Sequence, residues 1–129
     1  MVILDTNIII DHLRTREKES SLVLLLKTRS KDEFAISILT IQELYEGKST
    51  RNENLEQKLL ATISPLKILP YTFDVAQLAG QIARDEKPSI ELADAAIAAT
   101  AIINGSLLFT LNKKDFRGIK NLELFSFKI

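Results

Sequence analysis

Four of the seventeen acidic residues, Asp5, Glu43, Asp94 and Asp115, stand just after short apolar runs or early in an apolar helical stretch. Carboxylates gathered at one place repel one another, and a divalent cation lets them stay ionised together. His12 is the single histidine and there is no cysteine. A metal would therefore rest on oxygen ligands, which favours magnesium or manganese over zinc or copper. Such an ion polarises a phosphoryl oxygen and acidifies an attacking water, as phosphate-ester hydrolysis requires. The lack of cysteine also excludes disulfides, thiolate nucleophiles and zinc-thiolate sites.

Each acid has a plainer role open to it. Asp5 follows Val2-Ile3-Leu4 and heads Asp5-Thr6-Asn7, where aspartate serves as a helix N-cap. Glu43 closes Thr40-Ile41-Gln42-Glu43, which has the form of a capping box. Asp115 lies in Leu111-Asn112-Lys113-Lys114-Asp115-Phe116, where a solvated turn acid is ordinary. Asp94 makes the strongest individual case. Of its helical neighbours Ile90, Glu91, Ile97 and Ala98, three are apolar, so it points along a packed face. An isolated carboxylate there becomes protonated or finds a cation; the alternative is a helix-dipole contribution. Asp11 and Glu91 are set aside as solvated helical charges.

Positioning these acids requires strand ends that share an edge. Residues 2–4, 34–37, 66–69 and 107–110 read as short buried strands, and 122–127 as a fifth. Helical patterns fill the intervals: 20–29, a helix opening at Thr40, 55–64, 72–85, and one capped by Ser89 and carrying Ile90 to Ile102. Asn104-Gly105 ends that last helix. Ile8-Ile9-Ile10 fits a strand or a helix equally well. Alternation of strands and helices gives an α/β fold, a mostly parallel sheet with helices on both faces. In such sheets, sites lie outside the carboxyl ends of the strands. The acids converge if strands one, two and four are neighbours.

A chain of 129 residues is expected to form one domain over residues 1–129. Seventeen basic residues balance the acids, so net charge neither favours nor excludes a nucleic-acid partner. No signal peptide pattern and no membrane span is expected, which makes a cytoplasmic location the simplest expectation.

Asp5-Thr6-Asn7 after a first strand, Glu43 after strand two, Leu92-Ala93-Asp94-Ala95-Ala96-Ile97-Ala98-Ala99-Thr100-Ala101, and Thr110-Leu111-Asn112-Lys113-Lys114-Asp115-Phe116 come in a fixed order. In this ordered set the chain resembles the PIN-domain proteins, in particular the VapC-type toxin ribonucleases. The resemblance implies a five-stranded parallel sheet of order 3-2-1-4-5 and a helix at Ile8–Ile10. It implies a Mg2+- or Mn2+-dependent endoribonuclease acting on RNA, commonly a homodimer, held inactive by a cognate antitoxin. Carried over by position, Asp5 and Asp94 are the principal metal ligands. Glu43 and Asp115 complete the acidic cluster, with Asn112 able to share the duty of Asp115. Thr6, Asn7, Thr110 and Asn112 support those ligands or contact phosphate. Arg14, Arg16, Lys48, Arg51, Lys113 and Lys114 are the basic candidates for RNA contact, each individually explicable as a solvated charge.

Two rival functions follow from the same pattern. A phosphoacceptor signalling domain would carry an acceptor Asp at the end of strand three, where this chain has Leu69-Pro70. A catalytically inactive PIN fold that only binds RNA or protein is the other, and the presence of all four acids argues against it.

Overall fold

Val2, Ile3 and Leu4 have no solvent exposure. In the computed structural model, which describes residues 1–15, 18–29, 31–86 and 90–127, they form the central strand β1 (Val2–Leu4). A strand covered on both faces needs an apolar residue at every position. Its side chains still alternate, with Ile3 in one core and Val2 and Leu4 in the other.

β2 (Phe34–Ser37), β3 (Lys67–Leu69) and β4 (Leu107–Phe109) complete a parallel sheet of order β3-β2-β1-β4. Leu4 pairs with Phe109, so Asp5 and Thr110 leave the sheet side by side. The expected fifth strand is reduced to one parallel bridge between Leu108 and Leu124, on the outer side of β4. Its position in the order agrees with expectation, but its length does not. Phe125 and Phe127 pack edge-to-face on Phe109, and this aromatic cluster takes the place of a longer ladder.

The ambiguity at Ile8–Ile10 resolves as helix: α1 (Thr6–Arg14) buries Ile8, Ile9 and Leu13. With α2 (Ser21–Thr28), α3 (Ile38–Glu46) and α4 (Glu53–Ile63) it covers the sheet face that presents Val2, Leu4, Ile36 and Phe109. The opposite face, with Ile3, Ala35 and Leu108, is covered by α5 (Phe73–Asp85) and α6 (Leu92–Ile103). Ala95, Ala96, Ala98, Ala99 and Ala101 are buried, and their small side chains let α6 lie close to the sheet. At its end, Ser106 N donates to Ala101 O (2.9 Å) and Gly105 N to Ile102 O (3.1 Å). This is a Schellman closure, and the φ of +60° at Gly105 is why glycine stands there.

Two helix starts differ from expectation. α3 does not begin at Thr40: Ser37, the last residue of β2, is its N-cap, its hydroxyl accepting from Leu39 N at 3.1 Å. A cap already in place at the strand end lets the helix start two residues earlier. α6 begins at Leu92 with Glu91 as N-cap, so Ile90 lies outside it; Ser89 falls outside the described residues. Ser37 is 1% exposed, and Ser37→Ala should lower stability by about 1 kcal/mol, measured as a reduced urea midpoint at unchanged slope. An unchanged midpoint would show that the cap contributes nothing. Among the described residues, no helix is long and apolar enough to cross a membrane.

Candidate active site

Asp5 sits at the carboxyl end of β1 in extended backbone and caps α1. Its Oδ1 accepts from Thr6 N at 2.8 Å and its Oδ2 from the Thr110 hydroxyl at 2.7 Å. The same hydroxyl accepts from Asn112 N (3.0 Å) and from the Asn7 amide (3.3 Å). Asn7 Oδ1 in turn accepts from Leu111 N at 3.2 Å. The turns after β1 and β4 are thus laced together around one carboxylate. Burial pushes the Asp5 carboxyl above its ordinary range, while the Thr110 hydroxyl and the Thr6 N–H pull the other way.

Glu43 reaches the same place from α3. Its Oε1 lies 2.6 Å from the Thr6 hydroxyl, which lies 3.0 Å from the Thr40 hydroxyl. A carboxylate only accepts and a hydroxyl has one proton, so Thr6 donates to Glu43 and Thr40 donates to Thr6. Glu43 is therefore held by a tertiary contact and does not close a capping box.

Asp94 is the third residue of α6 and is half-buried. Its carboxyl is pushed up to about 6, first by burial, then by repulsion from Asp5, Asp115, Glu91 and Glu43. Asp5, Glu43, Glu91, Asp94 and Asp115 line one open cleft of about 270 Å3, together with Thr6, Asn7 and Asn112. Its charge and its hard oxygen donors suit a divalent cation. Among the described residues, no three His, Asp or Glu side chains close on a single point.

Residues 2–122 match the PIN domain family. The chain belongs to this family. It is similar to Ribonuclease VapC1 of Rickettsia felis, 38% identical over 97 residues that span 69% of this chain and 72% of the relative. Among solved structures it is similar to VapBC2 of Rickettsia felis bound to a promoter DNA fragment. That match has a TM-score of 0.84 at 27% identity and covers 98% of each chain. It is also similar to a toxin–antitoxin complex from Klebsiella pneumoniae, with a TM-score of 0.75 at 29% identity over 95% of each chain.

In this PIN domain, all four acids singled out in the sequence border one cleft, although Asp115 is exposed on a 3-10 turn (Lys113–Asp115). Asp11 is elsewhere, its Oδ2 accepting from Ser21 N at 3.0 Å. Two residues were missed. Glu91 lines the cleft and raises the Asp94 pKa; its place one helical turn before Asp94 was the available signal. Thr40 anchors the Thr6–Glu43 link, and nothing local in the sequence marks it. Of the basic candidates, Arg14, Lys48, Lys113 and Lys114 border hollows beside the cleft. Arg51 is exposed, and Arg16 lies outside the described residues.

Proposed function

We propose that this PIN domain, acting as one unit over residues 1–129, is a metal-dependent endoribonuclease and the toxin of a toxin–antitoxin pair. The observation that carries the proposal is the meeting of Asp5, Glu43, Asp94 and Asp115 in one cleft, with Asp94 raised by its neighbours. Asp5 and Asp94 would hold a magnesium or manganese ion. Bound there, the ion supplies a polarised phosphoryl oxygen and a water acidic enough to attack at neutral pH. The remaining work falls to the chain. Thr110 and the Thr6 N–H favour the ionised form of Asp5 and fix its direction. Glu43, aimed by Thr6, orients the attacking water and accepts its proton. Asp115 stands at the open side of the cleft and Asn112 offers an amide to the phosphate.

A cognate antitoxin is the proposed regulatory partner, as in the similar toxin–antitoxin complex. A second copy of this chain is proposed as well, as the resemblance to the VapC-type proteins implies. The cytoplasm is the proposed compartment.

The test is cleavage of total cellular RNA by the purified chain with magnesium, with EDTA, and with manganese added after EDTA. Cutting should need the metal and return with manganese; equal cutting in EDTA would refute metal dependence. Expression should arrest growth, and co-expression of the product of an adjacent reading frame should relieve it. Normal growth at high soluble levels with the acids intact would count against the toxin role.

A further inference from the structure

The acid cleft repels the polyanion it is proposed to cut, so affinity for RNA has to come from cations beside it. The chain as a whole is neutral, but residues 113–120 hold Lys113, Lys114, Arg117 and Lys120 against one acid, Asp115. A second cleft, of about 490 Å3, adjoins the first, and Asn112 borders both. Lys113, Lys114 and Arg117 line it together with Leu111 and Phe127, and among the described residues no acidic one does. Phe127 is braced edge-to-face by Phe109 and Phe125, with ring centroids 5.4 and 5.3 Å away, yet it stays 37% exposed. Leu111 is 50% exposed. Lys113 Nζ donates to the Ser126 hydroxyl, which ties the turn after β4 to the segment that carries Phe127.

A cationic rim around a fixed, partly open aromatic ring is the chemistry that holds single-stranded nucleic acid. The hollow on the other side of the acid cleft lacks it. Arg14 and Lys48 border that slot, but Glu43 does too, no aromatic ring lines it among the described residues, and its volume is about 70 Å3. Small-ligand sites run to roughly 300–1,000 Å3, a range that the second cleft reaches and the slot does not.

The geometry points to a nucleotide subsite between the 3-10 turn after β4 and Phe127. There the base next to the scissile phosphate stacks on Phe127 beside Leu111, and a flanking phosphate is held by Lys114 and Arg117. This inference rests on the ribonuclease reading and adds where the strand leaves the acid cleft. Stacking on one aromatic ring is tolerant of base identity. The subsite therefore supplies affinity and register, with little sequence choice.

The test uses the full chain and a short fluorescein-labelled single-stranded RNA, with binding read by anisotropy in EDTA and cleavage read with magnesium. Phe127→Leu should weaken binding about 10-fold without changing its salt dependence, and Phe127→Tyr should restore it. The double variant Lys114→Gln/Arg117→Gln should weaken binding at physiological salt and reduce the slope of log K against log salt by about 0.7. Lys67→Gln, on the edge strand β3, should leave both unchanged. Equal melting temperatures across the set show that the folds are intact. Variants that bind like the parent and cleave with its KM would overturn the subsite and leave the nuclease standing. Weakened RNA binding in these variants, with a parent that binds but does not cut, would uphold the subsite and refute the nuclease. A parent that binds no RNA would overturn both. If the double variant kept RNA binding and lost only the antitoxin, the surface would be a protein interface and the subsite would fall.

Discussion

Asp94→Asn is expected to lower RNA cleavage about 10^3-fold while raising the melting temperature of the metal-free protein. The loss of rate follows from removing one of two proposed ligands: an ion's stabilisation of transition-state charge is worth several kcal/mol, and about 4 kcal/mol corresponds to that factor. The gain in stability follows from the Asp94 carboxyl, which moves from 3.8 in the unfolded chain to about 6 in the fold. A carboxyl raised in this way favours the folded state fully below pH 3.8, and the favour is lost as pH rises through about 6. At pH 7.5 without metal the native protein therefore carries an unwelcome charge that asparagine lacks. Asp94 is only half-buried and solvent screens its repulsion, so the difference should be about 1 kcal/mol, or about 4 °C in melting temperature. The gap should close as the pH is lowered from 6 to 3.8. Magnesium should reverse the ranking, because an ion that binds only the folded parent adds to its stability. Calorimetry in EDTA and in magnesium checks both signs. A variant that melts below the parent in EDTA would show that Asp94 is a structural acid and would undo the reading of the cleft.

Strand ends and apolar runs are local signals, so β1 to β4 and the cleft edge were legible from residues 2–4, 34–37, 66–69 and 107–110. Glu43 was legible as a position but ambiguous as a role. Thr40 and Glu43 are spaced as in a capping box, and the same spacing puts both on one face of a helix already under way. What decides between the two is Thr6, on a different helix, and no local pattern reports that contact. Asp5 shows that the structural and functional alternatives need not compete. One carboxylate caps α1 and still faces the cleft, because its two oxygens have different partners. The fifth strand is reduced for a tertiary reason: residues 122–127 have strand-like composition, but only Leu124 bridges to β4, while Phe125 and Phe127 pack on Phe109. Glu91 was passed over because an exposed N-terminal helix acid is common. Only the shared cleft distinguishes it from Asp11.

Thr110→Val should separate the positioning of Asp5 from its charge. Thr110 is 2% exposed, and its hydroxyl donates to Asp5 while accepting from Asn7 and Asn112. Valine keeps the shape and removes all three bonds. Asn112 is exposed, so its backbone N–H has water as an alternative partner, whereas Asp5 is buried. A hydrogen bond to a buried carboxylate is worth roughly 1.5–3 kcal/mol, so a loss of about 2 kcal/mol in stability at pH 7 is expected. Cleavage should fall about 10- to 100-fold, the usual effect of losing a partner that orients a metal-binding group. The two losses share a cause and therefore a pH dependence. The hydroxyl favours the ionised form of Asp5, which burial already pushes upward; without it, the carboxyl rises further. The acid limb of the pH–rate profile should then move to higher pH, and the stability difference from the parent should shrink as acid protonates Asp5 in both proteins. Thr110→Ser retains the donor and should keep the parent's profile. If valine lowered the rate without moving the acid limb, Thr110 would orient the Asp5 carboxylate without favouring its ionised form. If serine failed to preserve the profile, the hydroxyl would not be what holds Asp5 in its ionised form.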